Sequence, residues 1–371
     1  MDIAPGSIAV VLGTRPEIVK LATLIRLLGD AATVVHTGQH YEFNLSASFL
    51  ETFGIAEPAV HLGVGGKSRG GQIGSAISAL EEYLGGLAAR AVVVQGDTNG
   101  TLAGAVAANA REIPLAHVEA GLRSFDRRMP EEHNRVVTDH LGDLLCAPTT
   151  VSEGNLLAEG ISAERIRVTG NTVVEAVQAL MPDESERKTI TSSYGVEPGR
   201  FVLSTLHRPE NVDDPERFVS VIKQLSELRL PVLLPLHPRS RLRAAEFGLS
   251  DRLDELRVID PIGYRDFLGL GAESAFLVSD SGGIQEEASI YKRPVVVVRR
   301  STERPEVLGT FARLVEPEGI SEVVDEWLGD PEAVHRELAD TPSPYGDGTA
   351  SERIANEIGL LVSGRAGRPR K

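Results

Sequence analysis

The stretch Leu277-Val278-Ser279-Asp280-Ser281-Gly282-Gly283-Ile284-Gln285-Glu286-Glu287 runs from an apolar strand-like segment, through Ser-Gly-Gly, into a segment of helical period. That order puts bare backbone N–H groups and the Ser281 hydroxyl at the carboxyl edge of a parallel sheet, where phosphate binds naturally. Glu287, on the helix that follows, is placed to accept hydrogen bonds from a ribose diol. The competing reading of the same residues is a Gly-rich helix cap with no ligand.

The alternation of strand and helix extends in both directions from this stretch. Short β-branched runs at 7–12, 33–37, 91–95, 115–118 and 144–147 form one set, and runs at 200–205, 232–236, 256–259, 275–279 and 294–298 form another. Continuous rather than alternating apolar runs suit strands buried on both faces, and strands separated by helices imply parallel sheets. Two doubly wound α/β domains are therefore predicted, in keeping with 371 residues at roughly 150 per domain. The charged stretch 182–198 is the best linker by composition. A helix over 349–363 is expected to cross back onto the first domain, and the basic tail 364–371 to be a disordered end.

Composition removes several function classes. The chain is 42% hydrophobic and 25% charged, which is ordinary for a folded protein. Its 38 Lys and Arg against 53 Asp and Glu give a net charge of −15, which repels nucleic-acid backbones and anionic membranes. An anionic ligand then needs a local basic cluster. Cys146 is the only cysteine, so a disulfide or multi-cysteine metal site is excluded and a reducing, cytoplasmic setting is expected. No signal peptide is expected over 1–12, and the longest aliphatic runs, about five residues, fall far short of the roughly 20 that a membrane span needs.

Arg-Pro-Glu occurs three times, at Arg15-Pro16-Glu17, Arg208-Pro209-Glu210 and Arg304-Pro305-Glu306. Pro and Glu suit a first helical turn, and Thr14 to Glu17 spells a capping box. The arginine is what capping leaves over, since a cation at a helix N-terminus is unfavourable unless an anion sits there too. Three such loops point to a phosphate-rich ligand. By contrast, His61 to Ser68 ends like a P-loop but holds His61 where glycine is required, and His117-Val118-Glu119 lacks the cysteine pair of a zinc deaminase.

An acidic cluster follows the strands of the first set: Gly96-Asp97-Thr98, then His117-Val118-Glu119-Ala120-Gly121-Leu122-Arg123, then Met129-Pro130-Glu131-Glu132. Asp97 and Glu119 fall at strand C-termini, where α/β sheets place their sites. Converging carboxylates acquire separated pKa values, as general acid and base roles require. Taken singly, Asp97 as a helix cap and Glu119 as a partner of Arg123 are the better readings. His207 in Ser204-Thr205-Leu206-His207-Arg208 brings an imidazole and a guanidinium to another strand end.

Together these residues resemble the non-hydrolysing UDP-N-acetylglucosamine 2-epimerase family. The matching blocks run in order from Gly13-Thr14-Arg15-Pro16-Glu17 through Thr37-Gly38-Gln39-His40, the three acidic blocks and Val168-Thr169-Gly170-Asn171-Thr172. His207-Arg208, the run from Asp280 to Glu287, and Thr302 to Glu306 complete the set. The resemblance implies two Rossmann-like domains, 1–172 and 173–348, in a GT-B arrangement with the active site in the interdomain cleft. It implies inversion at C2 of UDP-N-acetylglucosamine by elimination of UDP and its re-addition. Asp97, Glu119 and Glu131 are then the acid/base carboxylates, with their assignment to the two faces of C2 left open, and His207 assists the departure of UDP. Arg15 with Ser281, Gly282 and Gly283 meets the diphosphate, with Lys20 nearby. Glu287 holds the ribose, Phe267 lies by the uracil, and Arg123, Arg208 and Arg304 complete the substrate site. No metal or cofactor is expected. A UDP-sugar and a second copy of the chain are the expected partners, with no nucleic acid or membrane.

Tyr41-Glu42-Phe43-Asn44 departs from the commonest bacterial pattern where many members bind an activating second substrate, so activation of that kind is not expected. The short stretch from Ser124 to Met129 resembles a branch that includes epimerases of UDP-2,3-diacetamido-glucuronic acid, whose carboxylate Arg127 and Arg128 are able to meet; solvated surface charge explains the two arginines equally well. A hydrolysing 2-epimerase, a GT-B glycosyltransferase and a nucleotide-sugar sensor share parts of the same pattern.

Overall fold

The computed structural model describes residues 3–39, 50–51 and 53–364. The segment His40 to Asn44 and the basic tail beyond Gly364 lie outside the described residues. The chain divides into two compact units, one made of Met1–Ala176 with Tyr345–Lys371 and the other of Val177–Pro344.

The first unit is built on seven parallel strands: β1 (Ile8–Leu12), β2 (Ala32–His36), β3 (Val60–His61), β4 (Ala91–Gln95), β5 (Leu115–Val118), β6 (Leu144–Ala147) and β7 (Ile166–Val168). Their order across the sheet is β3-β2-β1-β4-β5-β6-β7. The second carries β8 (Val202–Thr205), β9 (Val232–Pro235), β10 (Arg257–Ile259), β11 (Phe276–Ser279), β12 (Val295–Val298) and β13 (Ala312–Val315), in the order β10-β9-β8-β11-β12-β13. Every residue of β1, β4, β11 and β12 is buried, which is why those strands read as largely apolar runs without alternation. The edge strands β3, β7 and β13 are absent from the sequence-based strand list. They span two, three and four residues, and each holds at least one residue that is not buried, so they carry little of that signal.

Strand order fixes where a site belongs. In the first sheet the chain proceeds from β1 to β2 on one side and from β4 to β5 on the other, so the C-terminal ends of β1 and β4 flank a topological switch point. In the second sheet β8 and β11 flank the equivalent point. Gly13-Thr14-Arg15 follows β1 and Gly96-Asp97 follows β4; Leu206-His207 follows β8 and Asp280-Ser281 follows β11.

The segment expected as a linker is a helix instead. Glu184–Ser193 packs on the helix Tyr264–Glu273 inside the second unit. Gly269 permits this closeness, since a Cβ there would lie 3.0 Å from Ile190 Cδ1, and Arg187 meets Glu273 at 2.6 Å. Its few apolar anchors hid it among charges. The helix Ala350–Val362 belongs to the first unit and packs against the helix Arg15–Leu28. Its start is held by the buried Glu175 carboxylate, which accepts from Ser351 N at 2.7 Å and from the Ser351 hydroxyl.

A buried charge cluster fastens β5 to the helix Pro130–Leu141. Asp139 meets His117 Nδ1 at 2.7 Å and Arg123 Nη1 at 2.7 Å, and accepts Gly121 N at 3.2 Å. Gly121 takes φ +83° with a Cβ position 2.4 Å from Ser152 O, so no other residue fits there. Burial pushes the Asp139 carboxyl up, but the His117 ring and the Arg123 guanidinium outweigh it and leave it below its ordinary value. Removing one partner of such a cluster strands buried charge, so Asp139→Asn costs about 3–5 kcal/mol of unfolding free energy at neutral pH. The stability from the lowered pKa is present above the unfolded value near 3.9 and fades as pH falls through the folded one. Denaturant titrations of wild type and variant are therefore expected to converge in acid; a gap that persists undiminished to about pH 2 would contradict this assignment.

Candidate active site

At the first switch point the loop after β1 leads into the helix Arg15–Leu28, with Pro16 in its first turn. The expected pairing of Thr14 with Glu17 is present and larger than a capping box. The Glu17 carboxylate is buried and accepts from Gly13 N (2.9 Å), Thr14 N (2.8 Å), Thr14 Oγ1 (2.8 Å), Thr98 Oγ1 (2.9 Å) and Thr101 Oγ1 (3.2 Å). Burial pushes its pKa up, and these donors only partly offset that. Glu17 thereby ties the Arg15 loop to the loop that carries Asp97. Arg15 itself is half-buried at the start of its helix.

Lys20, just over one turn further along that helix, forms a buried ion pair with Glu119. Glu119 follows β5 and has φ +68°, a conformation that disfavours a side chain by about 1 kcal/mol or more. Lys20 and Asn171, whose Nδ2 lies 3.4 Å from Glu119 Oε2, hold the carboxylate in place. Asp97, at the end of β4, pairs with Arg135, and Arg135 also grips Glu132. Glu132 in turn accepts from Ser124 N, Ser124 Oγ and Phe125 N at 2.8–3.0 Å. Asp97 is thus set by a chain of charges reaching to the Ser124–Phe125 loop. Glu131, half-buried in the first turn of Pro130–Leu141, has no hydrogen bond or ion pair among the described residues.

Arg123 requires a correction. It was expected to meet substrate, but its side chain is only 1% exposed. It is consumed by Asp139 and by two 2.7 Å bonds to Glu159. The guanidinium is held by these two acids.

At the second switch point the helix Gly282–Tyr291 begins without a side-chain cap from Ser281. Gly282 and Gly283 differ in what they allow. A Cβ on Gly282 would lie 2.7 Å from Glu303 Oε1 and 3.0 Å from Arg304 Nη1, whereas one on Gly283 would meet nothing closer than Ser281 Oγ at 3.9 Å. Gly282 is a packing glycine, and Gly283 faces open space. Arg304, expected on the substrate, is 6% exposed and bound to Glu286 (2.9 Å) and Glu303. It shapes the Ser281-Gly282-Gly283 turn from beneath.

Glu287 is buried and accepts from the Tyr264 hydroxyl at 2.9 Å. Tyr264 opens the helix on which Phe267 sits half-buried. His207 is exposed and its Nδ1 lies 2.9 Å from Asp280 Oδ1, while Arg208 Nε donates to Asp280 O at 2.8 Å. Asp280 is buried and also accepts from His207 N, Arg208 N and Asn211 Nδ2 at 3.0–3.1 Å. Burial pushes its carboxyl up; the His207 ring and these donors outweigh that and hold it below its ordinary value. Asp280, Arg135 and Glu17 are the residues that sequence reasoning left out of the site, although each sits inside or beside a motif it quoted. Among the described residues no group of three His, Cys, Asp or Glu side chains is arranged to hold a metal ion.

Known proteins resemble this chain over almost its whole length. The family model described as UDP-N-acetylglucosamine 2-epimerase matches residues 29–359. A Methanococcus maripaludis protein named UDP-N-acetylglucosamine 2-epimerase is 39% identical over 364 residues, covering 95% of this chain and 98% of its own. A Pseudomonas aeruginosa UDP-2,3-diacetamido-2,3-dideoxy-D-glucuronate 2-epimerase is 36% identical, covering 95% and 99%. The crystal structure of Methanocaldococcus jannaschii UDP-GlcNAc 2-epimerase in complex with UDP-GlcNAc and UDP has a TM-score of 0.83 at 38% identity, covering 95% of this chain and 99% of that one. With the family model matching most of its length and relatives near 38% identical over almost all of it, the chain belongs to the UDP-N-acetylglucosamine 2-epimerase family.

Proposed function

We propose that this protein interconverts UDP-N-acetylglucosamine and UDP-N-acetylmannosamine by inverting C2, without hydrolysis. The observation that carries the proposal is the division of labour between the switch points. One gathers proton-transfer carboxylates beside Lys20 and Arg135, and the other presents an uncapped helix N-terminus beside His207 and Arg208.

The chemistry then follows from the groups present. A carboxylate takes the C2 proton; the C–H electron pair becomes the C1–C2 double bond, and the C1–O bond breaks with its pair leaving on UDP. The products are 2-acetamidoglucal and UDP. A group on the opposite face returns a proton to C2, and the same UDP oxygen re-forms the bond to C1. Proton removal and return on opposite faces require more than one acid/base group, which Asp97, Glu119 and Glu131 supply. The departing diphosphate needs donors and positive charge, assigned to Ser281, the Gly282-Gly283 backbone, His207, Arg15 and Arg208, with Lys20 nearby on Glu119. Glu287 takes the ribose and Phe267 lies by the uracil. UDP is the leaving group and nothing is oxidised or reduced overall, so the steps call for neither nicotinamide nor metal. The single cysteine suits a cytoplasmic enzyme.

One observation favours a second substrate, a UDP-diacetamido-uronic acid. Arg128 is neutralised by Asp126 at 2.7 Å, whereas the exposed Arg127 side chain makes no ion pair among the described residues, so Arg127 is available to a sugar carboxylate. The P. aeruginosa relative is named for such a substrate.

Purified protein with UDP-N-acetylglucosamine alone is expected to reach a mixture containing UDP-N-acetylmannosamine, separable by anion-exchange chromatography. Asp97→Asn, Glu119→Gln and Glu131→Gln each lose about 100-fold or more of turnover while binding UDP within a few-fold of wild type by calorimetry. Wild-type turnover in any of them removes that residue from the mechanism. Gly283→Ala is expected to keep its melting temperature and bind UDP more weakly, because the added methyl occupies the approach to the turn. Gly282→Ala is expected to melt lower, since its methyl meets Glu303 and Arg304. Unchanged UDP affinity in Gly283→Ala would place the diphosphate elsewhere.

A further inference from the structure

We propose that Asp280 is a positioning residue that fixes the tautomer and orientation of His207, so that Nε2 faces the leaving oxygen of UDP. For its kinetic consequences the proposal rests on the epimerase function proposed above.

The contrast between two histidine–aspartate pairs of nearly equal length carries the inference. In the first, His117 Nδ1 lies 2.7 Å from Asp139 and Nε2 lies 2.8 Å from Gly96 O. Its ring is wholly buried and both nitrogens are used, so that pair is closed and structural. In the second, His207 Nδ1 lies 2.9 Å from Asp280 Oδ1, while the ring is 58% exposed and Nε2 has no hydrogen-bond partner among the described residues. That pair is open at one end.

The carboxylate of the open pair is fixed more firmly than a surface ion pair needs. Asp280 is fully buried, sits at the end of β11 across from β8, and holds the His207 and Arg208 backbone N–H groups as well as the ring. Asn211 closes the remaining side at 3.1 Å and is itself anchored to Val298 O at 2.9 Å. An acceptor with no proton of its own requires the Nδ1 proton to point at it, which leaves Nε2 as the nitrogen that faces outward. When the ring is doubly protonated, its Nε2 proton hydrogen-bonds the β-phosphate oxygen as the C1–O bond breaks, and the buried carboxylate balances the imidazolium charge. Oxygen keeps the electron pair of the broken bond, and the Nε2 proton stays on nitrogen or is shared with that oxygen. The same geometry serves the return step in reverse.

The test combines spectroscopy with kinetics. In protein labelled with ¹⁵N-histidine, with the ring neutral, the His207 Nδ1 resonance is expected to be protonated and Nε2 unprotonated. In Asp280→Asn the amide donates to Nδ1 and the tautomer is expected to switch. Turnover of UDP-N-acetylglucosamine falls about 100-fold or more while KM and UDP affinity stay within a few-fold. In a His207→Asn background the Asp280→Asn change adds no further loss, because Asp280 acts through a ring that is no longer there. Full additivity of the two losses, or a wild-type His207 protonated at Nε2 alone, would overturn the proposal. The wild-type spectrum decides even where Asp280→Asn does not fold. If wild type turns over no UDP-N-acetylglucosamine, the epimerase reading fails while the tautomer still decides the role of Asp280.

Discussion

A strand in a parallel sheet cannot turn directly into its neighbour; each must return through a crossover, and the sheet is doubly wound because the crossovers run both ways from one central pair. The ends of that pair are the only neighbouring strand ends whose following loops diverge, and they leave a space that helices do not fill. In this protein β1 with β4 and β8 with β11 are those pairs. Arg15, Asp97, His207 and the Ser281-Gly282-Gly283 turn all follow one of these four strands, and Glu119 follows β5, one strand away. The chemistry is where the winding of the sheet leaves room for it.

Room alone does not aim a side chain. The net charge of −15 works against an anionic ligand, so local cations must be held where they are wanted, and carboxylates do the holding. Glu119 holds Lys20, and Glu132 with Asp97 holds Arg135. Glu286 and Glu303 hold Arg304 beneath the glycine turn. Glu17 is the exception, a buried carboxylate served by hydroxyl and backbone donors, and it joins two strand-end loops into one rigid edge. Such networks fix geometry more than they add stability, since desolvation offsets much of the attraction.

Central strands were legible because complete burial leaves an unbroken apolar run, as in Val295–Val298. Edge strands such as Val60–His61 were not, because a two-residue strand with one exposed member has no pattern to read. Helix Glu184–Ser193 was mistaken for a linker because its contacts are made by Arg187 and Ile190 within a charged sequence. For the site, strand-end position pointed to Asp97, Glu119 and His207. Sequence cannot show which carboxylate an arginine meets, so Arg123 and Arg304 were assigned to the ligand although buried acids claim them. Asp280 was overlooked for the converse reason: adjacent to a glycine turn it reads as part of a cap, and its partner lies 73 residues away.

The central claim is that a proton is removed from C2 and one is returned to the opposite face while UDP is held. Proton NMR of the protein with UDP-N-acetylglucosamine in D2O, with no acceptor present, tests this most directly. Loss of the C2 proton signal, with deuterium incorporated in UDP-N-acetylmannosamine and no free sugar released, is the predicted result. UDP-N-acetylmannosamine that retains its C2 proton, or release of free N-acetylmannosamine with UDP, would contradict it.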